Sequence, residues 1–241
     1  GMEESVKFGI AAATFHPQVN YALVNYSSAP YAADPGQTIT YAECHDNLTL
    51  WDKLLVTNPD EPEEELIKMH KMASAIVLTS QGIPFLHAGQ DFLRTKYGDG
   101  NSYQSPDWVN QLDWERKLQY LDVFQYNKGL IELRKAHPAF RMRTTEEIQR
   151  HLEFLEMPAP QMVGYVLKDH ANGDSWGQIV VLFNGGTAPQ SVSLPGAGWV
   201  VVVDGERAGQ EALWEVPGSE VSIPARTSLV LVDGASFATG R

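Results

Sequence analysis

Cysteine is almost missing from this chain of 241 residues: Cys44 stands alone, so no disulfide forms within the chain, and a single cysteine argues against a cysteine-based metal site. Basic residues are scarce too, with 18 Lys and Arg against 30 Asp and Glu and a net charge of −12. That balance argues against a nucleic acid or an anionic membrane as partner, because both call for a basic face. No apolar run reaches the roughly 18 residues of a membrane span. The opening Gly1-Met2-Glu3-Glu4 has neither a basic nor an apolar region and so does not read as a signal peptide; the compartment, cytoplasmic or secreted, stays open. Phosphate loops, zinc signatures and nucleophile elbows are also absent. The seven histidines show no metal-ligand spacing.

What is present suits a packed core: 43% hydrophobic and 20% charged residues. Two textures divide the chain. Thr38 to Ala42 is β-prone, and a helix is predicted from Pro62 through Ser80. Its first turn holds Glu63, Glu64 and Glu65, its apolar residues recur at helical spacing, and Gly82 ends it. Ile83 to Leu86 reads as a buried strand. Val123 to His137 reads as a second helix with Phe124, Leu130, Leu133 and Ala136 on one side. Strand, helix, strand, helix is the α/β grammar of a parallel sheet, whose polar strand ends carry sites. From about residue 146 the chain reads as short strands near 149–156, 162–168, 178–183, 190–194, 199–203, 212–216 and 227–232, with Gly and Pro turns between them. The fold class expected is therefore α/β followed by all-β, the second part an antiparallel sandwich.

Two polar clusters could carry chemistry. His45-Asp46-Asn47 follows the first strand; a carboxylate beside an imidazole can grip neighbouring sugar hydroxyls, and the same pair can equally be a loop-ordering hydrogen bond. The stretch from Arg94 to Trp114 mixes amides, carboxylates and aromatic faces, which suits an uncharged hydrated ring and equally a long solvated loop. His87, inside an apolar run, reads as a core histidine. Trp176, Trp199 and Trp214 read as packing residues.

Longer blocks carry a resemblance. Tyr41-Ala42-Glu43-Cys44-His45-Asp46-Asn47-Leu48-Thr49-Leu50-Trp51-Asp52-Lys53-Leu54 resembles the block that ends the seventh barrel strand of type I pullulanases. Ser80 through Lys96 resembles their eighth-strand block, with Gln90 and Asp91 where relatives often show two glutamates. Asp99 to Trp114 and Gly129 to Phe140 continue the match. The resemblance covers residues 36 to 155 and implies the α-amylase superfamily: the C-terminal part of a (β/α)8 barrel over residues 1–142, then a β-sandwich over residues 143–241. It implies hydrolysis of α-1,6-glucosidic bonds in pullulan, starch or glycogen, with retention of configuration. It places Asp46 as the third catalytic carboxylate and His45 beside it at the same sugar. Asn47, Arg94, Asn101, Tyr103 and Asp107 fall in stretches that line the substrate cleft.

A retaining mechanism needs a nucleophilic carboxylate and an acid/base carboxylate about 5–5.5 Å apart. In the family these sit on the fourth and fifth barrel strands, and no block resembling those strands occurs in residues 1 to 37. The chain alone is therefore expected to be inactive. The partner expected is an α-glucan polysaccharide, and the open barrel face is expected to drive self-association. No cofactor or metal is called for in this stretch, with calcium left open for the full-length enzyme. The competing expectation is a non-catalytic α-glucan-binding or assembly module.

Overall fold

The computed structural model describes residues 1–239. Helix α1 (Glu3–Ile10) leads into β1 (Ile39–Thr40), α2 (Leu50–Thr57), α3 (Glu63–Thr79) and β2 (Ile83–Pro84). The short helices α4 (Asp107–Asn110) and α5 (Trp114–Gln119) precede the long α6 (Leu121–Ala136) and α7 (Thr145–His151). Eight strands follow: β3 (Leu152–Phe154), β4 (Met162–Leu167), β5 (Ile179–Asn184), β6 (Gln190–Ser193), β7 (Trp199–Val203), β8 (Trp214–Val216), β9 (Glu220–Ile223) and β10 (Thr227–Asp233). Helix α8 (Gly234–Thr239) closes the described part.

The two long helices form where their periodicity put them. Helix α3 starts after Pro62 with three glutamates in its first turn, matching the positive end of the helix dipole. At its other end the last carbonyls need donors. The buried Arg134 guanidinium of α6 donates to the carbonyls of Leu78, Ser80 and Gly82 at 2.9, 2.6 and 2.7 Å, and the Tyr165 hydroxyl of β4 donates to that of Thr79 at 2.8 Å. Burial pulls the Arg134 pKa down to about 10, and the side chain still serves as a cation at neutral pH. Ala136, expected on the inner face of α6, points to solvent; Tyr126, Leu130 and Leu133 take the buried side.

Strands β3-β4-β5-β10-β7-β8 form one antiparallel sheet in that order, and β6 pairs with β9 in a second. Residues of β4, β5, β7 and β10 are buried nearly without alternation, because both faces of the six-stranded sheet are covered. On one face Tyr165, Val181 and Val230 join a core with Phe8, Leu78, Leu130 and Leu133 from the helices. On the other, Val180, Leu182 and Leu231 share a cluster with Val192, Val221 and Ile223 of the small sheet.

Further contacts lock the helical layer to the strands. Asp174 accepts from the Ala139 amide at 3.0 Å and pairs with His137 Nδ1 at 2.9 Å, while the His137 ring stacks on Trp176 with centroids 3.3 Å apart. Gly129 of α6 lies so close to residue 208, in the loop after β7, that an added Cβ would collide with the Ala208 carbonyl.

Strands β1 and β2 pair in parallel, Ile39 with Ile83 and Thr40 with Pro84, and have no other strand beside them. Both are two residues long, shorter than the runs expected. Ile83 to Leu86 reads by composition as a buried strand, yet in this chain one of its faces is open, as expected for two strands that cannot close a barrel. Leu86 packs on the core, but Ile83 and Phe85 are exposed, as are Ile39 and Tyr41. Side chains two apart share a face of a strand, so these four form one uncovered apolar surface, with the rings of Tyr41 and Phe85 6.1 Å apart. The first 37 residues do not cover this surface: Phe8, Ile10, Ala11 and Ala13 join the main core, while the Ile10 and Ala12 carbonyls accept from the Gln81 amide and the Thr38 hydroxyl beside the ribbon.

Two expectations in the strand region also need correction. Residues 149–151 belong to α7, set by the Thr144/Glu147 capping box, rather than to a strand. Strand β9 was missed, because Glu220-Val221-Ser222-Ile223 alternates but follows β8 closely across a Pro-Gly turn.

Candidate active-site loops

The loop after β1 and the loop after β2 meet, since parallel pairing brings the C-terminal ends of both strands together. Glu43 has its carboxylate almost wholly buried, with 1% of the side chain exposed. One oxygen pairs with His87 Nδ1 at 2.9 Å and the other accepts from the Leu50 amide. His87 Nε2 lies 3.1 Å from Arg94 Nη1. The Arg94 guanidinium also donates to the carbonyls of Ala88 and Asn110. Burial lowers the Arg94 pKa from its ordinary value, and the Glu43 charge opposes that shift.

A second set of ties runs in parallel. Thr49 caps α2 by accepting from the Asp52 amide at 3.1 Å. The buried Asp52 carboxylate accepts from the Lys96 amide at 2.8 Å and from the Thr95 hydroxyl. Lys96, itself buried, sends its ammonium to the His45 carbonyl at 2.7 Å.

Between these anchors His45, Asp46 and Asn47 stand out into solvent. The His45 and Asp46 side chains are 84% and 72% exposed, with Nε2 and Oδ2 3.6 Å apart. Asn47 takes a left-handed φ of 64°, which asparagine tolerates better than most residues and which turns the chain back toward α2.

The remaining candidates lie on the second loop. Asp99 accepts from the Asn101 amide at 2.9 Å and from the Ser105 hydroxyl; these two bonds, Ser105 first, hold its pKa below the usual carboxylate range. Gly100 lies against the Asn47 backbone, so Asn101 is brought next to the His-Asp-Asn turn. Tyr103 is 78% exposed and Asp107 is exposed at the start of α4. Tyr97 and Trp108, both exposed, lie with ring centroids 5.4 Å apart. Arg94 differs from the others: its guanidinium is engaged with protein acceptors behind the loops.

Glu43 and Asp52 were not among the sequence candidates, Lys96 stood among them only as a member of the Arg94–Trp114 stretch, and His87 read as a core histidine. No local pattern pairs residues 44 apart; the only sign was a carboxylate and a histidine each set beside an apolar run. Among the described residues no group of three or more His, Cys, Asp or Glu could hold a metal ion, and no helix is long and apolar enough to cross a membrane.

The structure is of the class in which an all-β unit packs on a helical layer that displays two strand-end loops. The family described as "Pullulanase, all-beta domain" matches residues 148–207. The Bacillus subtilis pullulanase is 45% identical over 164 residues, which is 68% of this chain and 22% of that protein. Among solved structures, the type I pullulanase of B. subtilis complexed with maltose superposes with a TM-score of 0.87 at 36% identity over 96% of this chain and 31% of its own. The Paenibacillus barengoltzii pullulanase, solved with maltohexaose and α-cyclodextrin, gives 0.82 at 45% identity over 97% of this chain and 34% of its own. The chain belongs to the type I pullulanase family, and it spans between a fifth and about a third of the length of these relatives.

Proposed function

We propose that this chain is the C-terminal portion of a debranching glycoside hydrolase that cleaves α-1,6-glucosidic bonds in pullulan, starch or glycogen with retention. In this reading residues 1–142 supply the last two strands and helices of a (β/α)8 barrel, and residues 143–241 form a β-sandwich. The observation that carries it is the pair of strand-end loops. An exposed carboxylate, Asp46, stands beside an exposed imidazole, His45, at the end of one of two parallel strands, where barrel enzymes keep their chemistry.

Asp46 would accept hydrogen bonds from two ring hydroxyls and favour the flattened, positively charged sugar of the transition state. His45 would donate to the same sugar. Asn47 and Asn101 offer amides beside it, and Tyr103 an exposed ring; Asp107 lies further along the cleft. Arg94 would act through the loop backbone it holds. The α-glucans present in the relatives' structures make a glucan the expected partner. The nucleophile and the general acid would come from strands outside this chain, so the chain by itself would not hydrolyse pullulan.

The experiment is a reducing-sugar assay on pullulan with this chain and with the longer enzyme that contains it. The chain alone should be inactive. Asp46→Asn in the longer enzyme should lower kcat by orders of magnitude while leaving folding intact, because the side chain is exposed and supports no core contact. Near-normal turnover by that variant refutes the role. Glucan binding by a longer protein without hydrolysis would favour the binding-module reading instead.

A further inference from the structure

We propose that Glu43, His87 and Arg94 form a positioning relay that holds the His45-Asp46-Asn47 turn in place, and that it does so by fixing the proton of His87 on Nδ1. The proposal rests on the functional reading above only for what the turn does; the relay itself stands on geometry.

Arginine can donate hydrogen bonds but cannot accept them. With Arg94 Nη1 3.1 Å from His87 Nε2, that nitrogen must be the acceptor. The ring proton therefore sits on Nδ1, which lies 2.9 Å from Glu43 Oε1, an acceptor. Direction thus runs one way, from the guanidinium to the imidazole to the carboxylate. The second oxygen of Glu43 takes the Leu50 amide, at the first residue of α2. A single buried carboxylate consequently ties the beginning of the turn to the helix that follows it and to the loop after β2. Lys96 ties its middle, at the His45 carbonyl.

This accounts for two otherwise odd features. A buried carboxylate is costly unless its lone pairs are satisfied, and Glu43 lies three residues before an exposed one. Arg94, in the stretch expected to touch substrate, spends its donors on His87 and on two backbone carbonyls. Both make sense if the charges behind the turn serve to hold the charges in front of it. A catalytic group must be held to a fraction of an ångström, which an exposed turn with a left-handed residue does not manage unaided.

The test uses this chain. Nitrogen chemical shifts of His87 distinguish an Nδ1–H ring from the Nε2–H ring that is commoner in free histidine. Wild-type protein should show Nδ1–H. Glu43→Gln leaves one acceptor oxygen for two donors, so the Nδ1–H signature should be lost or mixed, and Glu43→Asp should keep part of it. Cys44, half-buried inside the turn, supplies the second readout. Its reaction with a disulfide reagent should speed up by about tenfold in Glu43→Gln, the equivalent of one charge-assisted hydrogen bond. Amide exchange in β5 should stay unchanged, which separates loosening of the turn from loss of fold. An Nε2–H ring in the wild type, or unchanged Cys44 reactivity in Glu43→Gln with β5 intact, overturns the relay. In the longer enzyme Glu43→Gln should lower kcat more than it raises KM. If Asp46→Asn leaves turnover normal while the His87 signature is as described, it is the functional reading that fails and the relay stands.

Discussion

The Tyr165 hydroxyl of β4 donates to the Thr79 carbonyl in the last turn of α3, at 2.8 Å and fully buried. One phenol thus joins the all-β sheet to the helix end that aims β2 at the candidate site. Burial pushes the Tyr165 pKa far above its ordinary value, so it remains a donor throughout the working pH range. Tyr165→Phe keeps the ring and removes the bond. It should cost about 1–2 kcal/mol in urea unfolding, the desolvated carbonyl being left without that donor. An unchanged midpoint would mean that Arg134 covers the helix end alone.

His70 of α3 is wholly buried, and neither ring nitrogen has a hydrogen-bond partner. Burial lowers its pKa from 6.5 to about 3. The unfolded chain therefore binds a proton near pH 6.5 that the folded chain refuses until about 3. The folded state is unpenalised above 6.5 and loses stability as pH falls through that window. At about pH 5 the loss is about 2 kcal/mol. His70→Leu should flatten this slope, which urea titrations at neutral and mildly acid pH would read; an unchanged slope would show that His70 is hydrated in solution.

Arg226, just ahead of β10, pairs with Glu61, just before α3, and with Glu65 in its first turn, clamping the strands to the helical layer. Its hydrogen bond holds the Glu61 pKa below the ordinary 4.5. Glu65 is lowered first by Lys68 and then by Arg226. Depressed carboxylates contribute stability that is present above their ordinary value and is lost as pH falls through the lowered one. Arg226→Gln should therefore weaken the protein at neutral pH and hardly at all once both glutamates are protonated. Thermal melts across the acid range would check this, and an equal loss at all pH values would contradict it.

Ile39, Tyr41, Ile83 and Phe85 form an exposed apolar face on a two-stranded ribbon whose outer edges are unpaired. Such a surface tends to find cover. The isolated chain should associate in a concentration-dependent way, and Ile83→Ser with Phe85→Ser should reduce this in light scattering without lowering the melting temperature. Monomeric wild-type protein at high concentration would rule the association out.

The sequence was most readable where elements carry their own signals. Glu63 to Glu65 after Pro62 marked α3, and Gly and Pro turns marked most strands. It was least readable where burial depends on what lies across the chain. Ile83 and Phe85 look like core residues because their composition is that of a strand with neighbours on both sides; no local rule says that one side is left empty. Helix α1 has only a modest amphipathic pattern over eight residues and was passed over, though Phe8 and Ile10 are fully buried. At the candidate site, His45 and Asp46 were singled out from their motif. The buried charges behind them were not, since Glu43 meets His87 only after two strands have paired.

Gly129 has a broader consequence. At this point α6 touches the loop after β7 main chain to main chain, with no side chain between to yield. The contact between the helical layer and the sheet is therefore unyielding at this point. A methyl group at that position would act as a wedge, tilting α6 and, through Arg134, shifting the start of β2, whose far end carries the second loop. The placement of the His45-Asp46-Asn47 turn would then be sensitive to a residue in the middle of α6 that packs against the loop after β7.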